Sequence, residues 1–233
     1  MTTLRSLLFN LYFLVVTAVL GLLYLPFLLL PPRYLWPAAR LWVRLTLGGL
    51  RLICGLDCRI EGQEHLPRSG GLVASKHQSA WDTLIFTLLL PAPAMVLKRE
   101  LLLIPFFGWY LRHLDMIAID RRRGARALQD MVRQARQRLT EGRQIVIFPE
   151  GTRSRPGTSG RYQSGVAALY SNLSVPVTPV ALNSGHYWGR RAFRKKSGII
   201  HLRALPPLAP GLERRLFIER LKQVIEEGTA ALP

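Results

Sequence analysis

Apolar side chains dominate the first 56 residues. No charged residue occurs from Ser6 to Pro32, a run of 27 positions, which is long enough to cross the hydrocarbon core of a bilayer. The Pro31-Pro32 pair predicts a turn, and the stretch after it, to about Leu56, mixes Trp and Arg with apolar residues as headgroup-level helices do. We therefore expect two membrane-associated helices. Three arrangements stay open: a spanning first helix, a hairpin dipping into one leaflet, and a buried helical pair of a soluble protein.

From about residue 57 the apolar positions form short runs between longer helical stretches. The longer stretches predict helices at 80–90, 101–112, 124–140, 161–171 and 212–227. The short runs predict six strands: Leu72–Ser75, Met95–Leu97, Met116–Ile119, Ile145–Phe148, Val177–Leu182 and Ile199–Leu202. Such alternation predicts an α/β fold with a central mixed β-sheet flanked by helices. We expect two parts, an N-terminal membrane-associated helical segment at 1–56 and an α/β domain at 57–233.

The net charge of the chain indicates which class of partner it binds. The chain carries a net charge of +18 and a pI of about 11.2, which favours an anionic partner: nucleic acid, an acidic membrane surface or phosphate substrates. The cluster GRRAFRKK at 189–196 is compatible with a nucleic-acid patch, but no signature of a nucleic-acid-binding fold accompanies it. Cys54 and Cys58 have no second pair to complete a zinc site. The apolar N-terminus favours a membrane over nucleic acid.

Polar clusters follow three of the predicted strands. KHQSAWD (76–82) follows the first strand, IDRRRG (119–124) ends the third, and FPEGTRSR (148–155) ends the fourth. In open α/β sheets, ligands bind beyond the carboxyl ends of the strands. We therefore expect these clusters to converge on one site.

His77 and Asp82, with four residues between them, fit a general base with a carboxylate behind it. The spacing also allows a structural interpretation, in which Ser79 opens a capping box, its hydroxyl accepting from the amide of Asp82, and the carboxylate favours the helix N-terminus. The two interpretations are compatible. No Ser or Cys in a nucleophile-elbow motif is present, so direct attack by a substrate hydroxyl on an acyl thioester is the simplest chemistry.

Basic side chains near the same strand ends fit an anionic acceptor. Arg153 follows Gly151, where a glycine lets the backbone approach closely, and Arg binds phosphate through two donors. Arg121 and Lys98 are further candidates. Glu150 has an alternative role as an ion-pair partner of Arg153 or as a helix cap. For the remaining arginines of this region we favour a solvated face that meets anionic lipid: Arg122, Arg123 and Arg126.

Four sequence blocks resemble those of the 1-acyl-sn-glycerol-3-phosphate acyltransferases, in the family's order. KHQSAWDT (76–83) and FPEGTRS (148–154) resemble the first and third blocks, and this pair is highly specific. Ile119-Asp120-Arg121 resembles the second block and VPVTPV (175–180) the fourth. The resemblance covers about residues 57–210. The chain departs from the pattern at Lys76, where the family often has Asn, so that Lys76 either assists the acyl donor or merely ends the strand.

The resemblance implies an acyltransferase catalytic domain at 57–233. It would move a fatty acyl group from acyl-CoA or acyl carrier protein to the sn-2 hydroxyl of lysophosphatidic acid, forming phosphatidic acid in phospholipid biosynthesis. His77 would be the base and Asp82 its partner. The fourth block would border the donor, and neither a metal nor a cofactor is implied beyond the thioester co-substrate. The acceptor would be bound by Glu150, Gly151, Thr152, Arg153, Arg121 and Lys98.

The implied location is a membrane, with the catalytic domain on its cytoplasmic face, as at a bacterial inner membrane. The expected partners are lysophosphatidic acid, the thioester donor and an anionic membrane surface, and not nucleic acid. Three rival functions stay open: the same chemistry on another lysolipid such as a lyso-ornithine lipid, a thioesterase or lipid hydrolase in which His77 activates water, and a catalytically silent membrane-binding protein.

Overall fold

The computed structural model describes residues 1–233. Its α-helices are α1 (Thr2–Leu23), α2 (Leu35–Cys54), α3 (Trp81–Leu89), α4 (Phe107–His113), α5 (Ala125–Thr140), α6 (Ser164–Leu173) and α7 (Arg214–Ala230). Its β-strands are β1 (Leu56–Glu61), β2 (Gly71–Ser75), β3 (Pro93–Lys98), β4 (Ile117–Ile119), β5 (Gln144–Ile147), β6 (Val177–Leu182) and β7 (Gly198–Ala204).

Helices α1 and α2 form an antiparallel hairpin ahead of the sheet. The Tyr12 hydroxyl donates to the carbonyl of Leu45 at 2.9 Å, and the Trp42 indole donates to the Thr17 hydroxyl at 3.0 Å. Helix α1 is long and apolar enough to cross a membrane, and only 11% of its most apolar 18-residue window is buried. Most of this window is therefore not buried against the protein, which argues against the buried helical pair of a soluble protein. The choice between a span and insertion into one leaflet stays open.

The seven strands form one mixed sheet in the order β1-β7-β6-β2-β5-β3-β4. Strands β6, β2, β5, β3 and β4 run parallel to one another, whereas β7 pairs antiparallel with β6 and parallel with β1. The predicted mixed sheet with flanking helices is confirmed. Because five neighbouring strands share one direction, their carboxyl ends lie along one edge of the sheet.

Two apolar cores cover the two faces of the sheet. In β2, Leu72 and Ala74 point into a core built with α5, α6 and α7, while Val73 points into a core built with α1, α2 and α3. This alternation follows from the two-residue period of a strand. Phe9 of α1 and Leu50 of α2 belong to the second core, so the N-terminal hairpin shares apolar contacts with the sheet. The domain boundary at 56/57 stays a prediction.

All six predicted strands are present within two residues of their expected ends, and Val177–Leu182 matches at both. Strand β1 was missed. The predicted helix at 101–112 is shorter: a 3₁₀ turn covers Arg99–Leu103 and α4 begins only at Phe107. Pro105 explains the break, because a proline disfavours helical backbone in the residue before it.

Candidate active site

The polar clusters meet because their strands are neighbours in register. Ala74 of β2 pairs with Ile147 of β5, so the chain leaves both strands at the same level toward His77 and Glu150. Lys98 at the end of β3 pairs with Ile119 of β4, just before Arg121. The expected convergence at the carboxyl ends of the strands is present in the structure.

His77 and Asp82 form a hydrogen-bonded pair at this edge. The ring Nδ1 of His77 lies 3.0 Å from Oδ2 of Asp82, and the Asp82 side chain is fully buried. An ionised carboxylate only accepts hydrogen bonds, so Nδ1 carries the proton and Nε2 is the basic nitrogen. The side chain of His77 keeps 12% of its surface exposed. A proton-accepting nitrogen is therefore left free beside a buried orienting carboxylate.

Four donors hold the Asp82 carboxylate. Besides His77, the amides of Gln78 and Ser79 donate to Oδ2 at 2.6 and 2.7 Å, and the Ser184 hydroxyl donates to Oδ1 at 2.5 Å. The predicted capping contact is wrong: the Ser79 hydroxyl accepts from the amide of Trp81 at 3.1 Å, not from that of Asp82. The reciprocal half of a capping box does form, since Asp82 reaches back to the Ser79 amide. The Asp82 carboxylate thus both caps the start of α3 and orients the His77 ring.

The FPEGTRS segment holds the backbone and the ring of His77. The Glu150 carboxylate accepts from the His77 amide at 3.1 Å, and the Ser154 amide donates to the His77 carbonyl at 2.8 Å. The Phe148 ring stacks on the imidazole with centroids 4.0 Å apart and planes at 24°. These contacts fix the imidazole position from three sides.

Lys76 and Glu150 lie behind the site. Lys76 is 1% exposed, and its ammonium donates to both carboxylate oxygens of Glu226 on α7, at 2.8 and 2.9 Å, and to the Thr158 carbonyl at 3.1 Å. It also lies 3.5 Å from Oε2 of Glu150. Donor assistance by Lys76 is therefore wrong, because a fully engaged, buried ammonium has no access to substrate. The ion-pair partner of Glu150 is Lys76, not Arg153.

Cationic side chains stand at the open side. Arg121 donates to the Gly151 carbonyl at 2.8 Å and is otherwise exposed. Gly151 adopts a φ of 68°, and a Cβ there would lie 3.1 Å from Gln163 and 3.2 Å from the Arg121 guanidinium, so only glycine fits without displacement. Burial lowers the pKa of Arg153, although the Asp82 carboxylate opposes this shift. The Nε of Arg153 is buried and has no hydrogen-bond partner in the protein.

A cavity of about 1550 Å³ opens onto this edge. Its walls are mainly apolar and come from α1, α2, α3, α4, α5, the first turn of α6 and the ends of β3, β4 and β5. Among the predicted site residues, six line it: His77, Lys98, Arg121, Gly151, Thr152 and Arg153. Asp82 and Glu150 do not line it; both carboxylates are buried behind His77. Arg122 and Arg123 are exposed outside the cavity, where they pair with Asp120 and Asp130; contact of this face with anionic lipid stays a prediction.

Three contributors were missed from the sequence. Ser184 follows the carboxyl end of β6, so the strand-end rule that found the other clusters could have found it. Phe148 belongs to a block whose polar residues alone were considered. Glu226 lies 150 positions from Lys76, and no local signal connects them. The fourth block forms buried β6 and does not line the cavity; only the residues just after it reach the site.

Comparison with known proteins places this geometry in a family. Residues 57–183 match the family model described as Acyltransferase. Over 185 residues the chain is 37% identical to the 1-acyl-sn-glycerol-3-phosphate acyltransferase of Pseudomonas aeruginosa, covering 79% of this chain and 72% of that protein. The chain belongs to the 1-acyl-sn-glycerol-3-phosphate acyltransferase family. The resemblance predicted from the four blocks is confirmed.

Other members of the family extend the likeness. The human 1-acyl-sn-glycerol-3-phosphate acyltransferase alpha is 31% identical over 169 residues, 71% of this chain and 60% of that protein. The crystal structure of the LPA acyltransferase PlsC from Thermotoga maritima matches with a TM-score of 0.80 at 25% identity, covering 99% of this chain and 97% of that one. The likeness to PlsC therefore includes the N-terminal hairpin as well as the family domain.

Proposed function

We propose that this protein is a 1-acylglycerol-3-phosphate O-acyltransferase of phospholipid biosynthesis, which acylates lysophosphatidic acid to phosphatidic acid. One observation carries the proposal: a histidine, oriented by a buried carboxylate, lies in a large apolar cavity beside two arginines. An apolar cavity accepts acyl chains, the arginines suit a phosphate, and the free ring nitrogen suits a hydroxyl. A lysolipid phosphate presents all three groups at once.

His77 acts as the general base. Its Nε2 takes the proton of the sn-2 hydroxyl while that oxygen attacks the thioester carbonyl, so that a C–O bond forms and a tetrahedral intermediate develops. The C–S bond then breaks, and the departing thiolate takes the proton from the imidazolium. The products are the new ester and a free thiol. Asp82 keeps the Nδ1–H tautomer and stabilises the imidazolium, as in a Ser-His-Asp triad.

Arg153, Arg121 and Lys98 bind the phosphate of the acceptor. Arg153 is the strongest candidate, because its buried Nε has no partner within the protein and a phosphate oxygen would supply one. Gly151 and Thr152 shape the turn that brings Arg153 to the cavity. Since charge-assisted hydrogen bonds to phosphate are about twice as strong as neutral ones, these cations favour a phosphate-bearing acceptor over a lyso-ornithine lipid.

Glu150 positions His77 and does not contact the acceptor. Its carboxylate reaches the His77 amide on one side and the Lys76 ammonium on the other, so its effect on catalysis passes through the main chain of the base. This replaces the substrate-binding role expected from the family blocks.

The N-terminal hairpin supports a membrane location for the cavity. Exposed leucines cover α1, and Leu14 and Leu22 of that helix also line the cavity, so that a lysolipid can enter from the acyl layer. By the positive-inside rule, the arginines of α2 favour the cytoplasmic face, where the bilayer surface is also anionic. We assign residues 1–56 to the membrane segment and 57–233 to the catalytic domain.

The test is a donor-by-acceptor matrix on the purified protein in mixed micelles. Labelled acyl-CoA and acyl carrier protein are each supplied with lysophosphatidic acid, lyso-ornithine lipid or no acceptor. We expect labelled phosphatidic acid from lysophosphatidic acid, and an increase in the KM for this acceptor of at least roughly tenfold in Arg153→Ala. Arg136→Ala, exposed on α5 and outside the cavity, is the control. Release of free fatty acid without an acceptor would instead identify a thioesterase.

A further inference from the structure

The basic cluster 189–196 has no role in the chemistry described above. Four of its cations are exposed and none has a carboxylate within ion-pair distance: Arg190, Arg191, Arg194 and Lys196. The chain holds no acidic residue between Glu150 and Glu213 to neutralise them. Such a concentration of unpaired positive charge favours the binding of a polyanion.

Lys195 fixes this loop in place. Its amide donates to the Ser6 hydroxyl at 2.9 Å, its ammonium donates to the side chain of Asn10, and both contacts are to α1. The ammonium also lies 5.2 Å from the centre of the Trp188 ring and 5.5 Å from that of Phe9. Unlike its neighbours, Lys195 is only 4% exposed. Lys195 therefore anchors the loop to α1, and the other four cations remain exposed on a backbone that is fixed in position.

The loop faces the cavity as well as solvent. Arg190 and Arg191 line the same cavity as His77 and Arg153, and Arg190 is close enough to Arg153 that its charge lowers the pKa of that guanidinium. A bilayer surface would meet cations turned outward, whereas these two face a space that admits substrate. The anion they bind is therefore part of a molecule whose acyl chain occupies the cavity.

Given the proposed function, the acceptor phosphate is already bound by Arg153, Arg121 and Lys98. The remaining anionic substrate is the acyl donor. We propose that the loop 189–196 is the binding site for the phosphates of the coenzyme A portion of an acyl-CoA donor. Phe193, which is 48% exposed among these cations, supplies an aromatic face on which a purine base can stack. A protein carrier offers carboxylates and a single phosphate but no base, so this combination favours coenzyme A.

The experiment compares donors that differ only at the 3′-phosphate. Steady-state kinetics are measured with palmitoyl-CoA and palmitoyl-3′-dephospho-CoA at saturating lysophosphatidic acid, in the wild type and in the double variant Arg191→Gln, Arg194→Gln. Arg214→Gln is the control, because Arg214 is exposed on α7 and does not line the cavity. Titration of free coenzyme A into the same proteins gives a readout that does not depend on turnover.

We expect the double variant to raise the KM for palmitoyl-CoA roughly 10- to 50-fold with kcat within about twofold, and the effect to shrink for the dephospho donor. Affinity for free coenzyme A falls in parallel, and the KM for lysophosphatidic acid does not change. An unchanged KM for palmitoyl-CoA overturns the proposal. If the wild type transfers no acyl group from any donor, the proposed function itself fails, and only the coenzyme A titration then bears on the loop.

Discussion

Lys76→Met tests the buried ion cluster behind the active site. The substitution removes an ammonium that is 1% exposed and keeps a side chain of similar length. It leaves Glu150, 4% exposed, and Glu226 near each other with no cation between them. Removing one partner of a buried pair costs about 3–5 kcal/mol, because the remaining charge stays desolvated. For a protein of this size we expect Tm to fall by roughly 6–20 °C.

Thermal unfolding in detergent, followed by circular dichroism, measures this loss. The control is Arg215→Gln, which removes a surface pair with Glu219 whose side chains are 85% and 60% exposed, and whose loss should cost less than about 1 kcal/mol. Lys76→Met combined with Glu226→Leu should recover part of the loss, since the double variant leaves one acid fewer without its cation. If Lys76→Met unfolds within about 1 °C of the wild type, the ammonium is not an essential buried partner and the reasoning fails.

Three further predictions concern the base and the hairpin. Asp82→Asn should lower kcat about 10⁴-fold, by analogy with the Ser-His-Asp triad, while steady-state kinetics show little change in the KM of either substrate. Ser184→Ala removes the 2.5 Å hydrogen bond to Asp82 and should lower kcat about tenfold. The control Ser171→Ala, on the exposed side of α6, should leave kcat unchanged. Equal effects of the two substitutions on kcat would contradict the role of Ser184. Gly49→Leu drives a side chain into the Tyr12 ring, so limited proteolysis should cleave the hairpin faster than in the wild type, and unchanged protection would show that the helices do not pack as described.

The spacing of apolar residues along the sequence predicted most of the strands and helices. Apolar runs such as Val177–Leu182 are buried on both faces, which makes them strands in any α/β arrangement. Strand β1 was not predicted. It is an edge strand that pairs only with β7, and its partner lies about 140 residues away in the sequence. Helix α1 ends at Leu23, before the end of the 27-residue uncharged run, because Pro26 and the two prolines at 31–32 interrupt the helix.

The site was predictable where its residues share a local block or a strand end. His77 and Asp82 satisfied both, and the structure shows why two interpretations of Asp82 coexisted: one carboxylate binds the ring and the helix-start amides together. Lys76 could not be placed, because its role depends on Glu226 in the last helix. The sequence predicted a substrate-binding role for Glu150. Its burial and its hydrogen bond from the His77 amide show that it holds the His77 backbone instead.

The central claim is that His77 takes the proton of the acceptor hydroxyl. Single-turnover acyl transfer from palmitoyl-CoA to lysophosphatidic acid, measured in the wild type and in His77→Ala, tests it directly. We expect the rate to fall by at least roughly a thousandfold, in line with the contribution of general-base catalysis, while the affinity for lysophosphatidic acid stays within about threefold. A His77→Ala protein that retains a rate near that of the wild type would contradict the account.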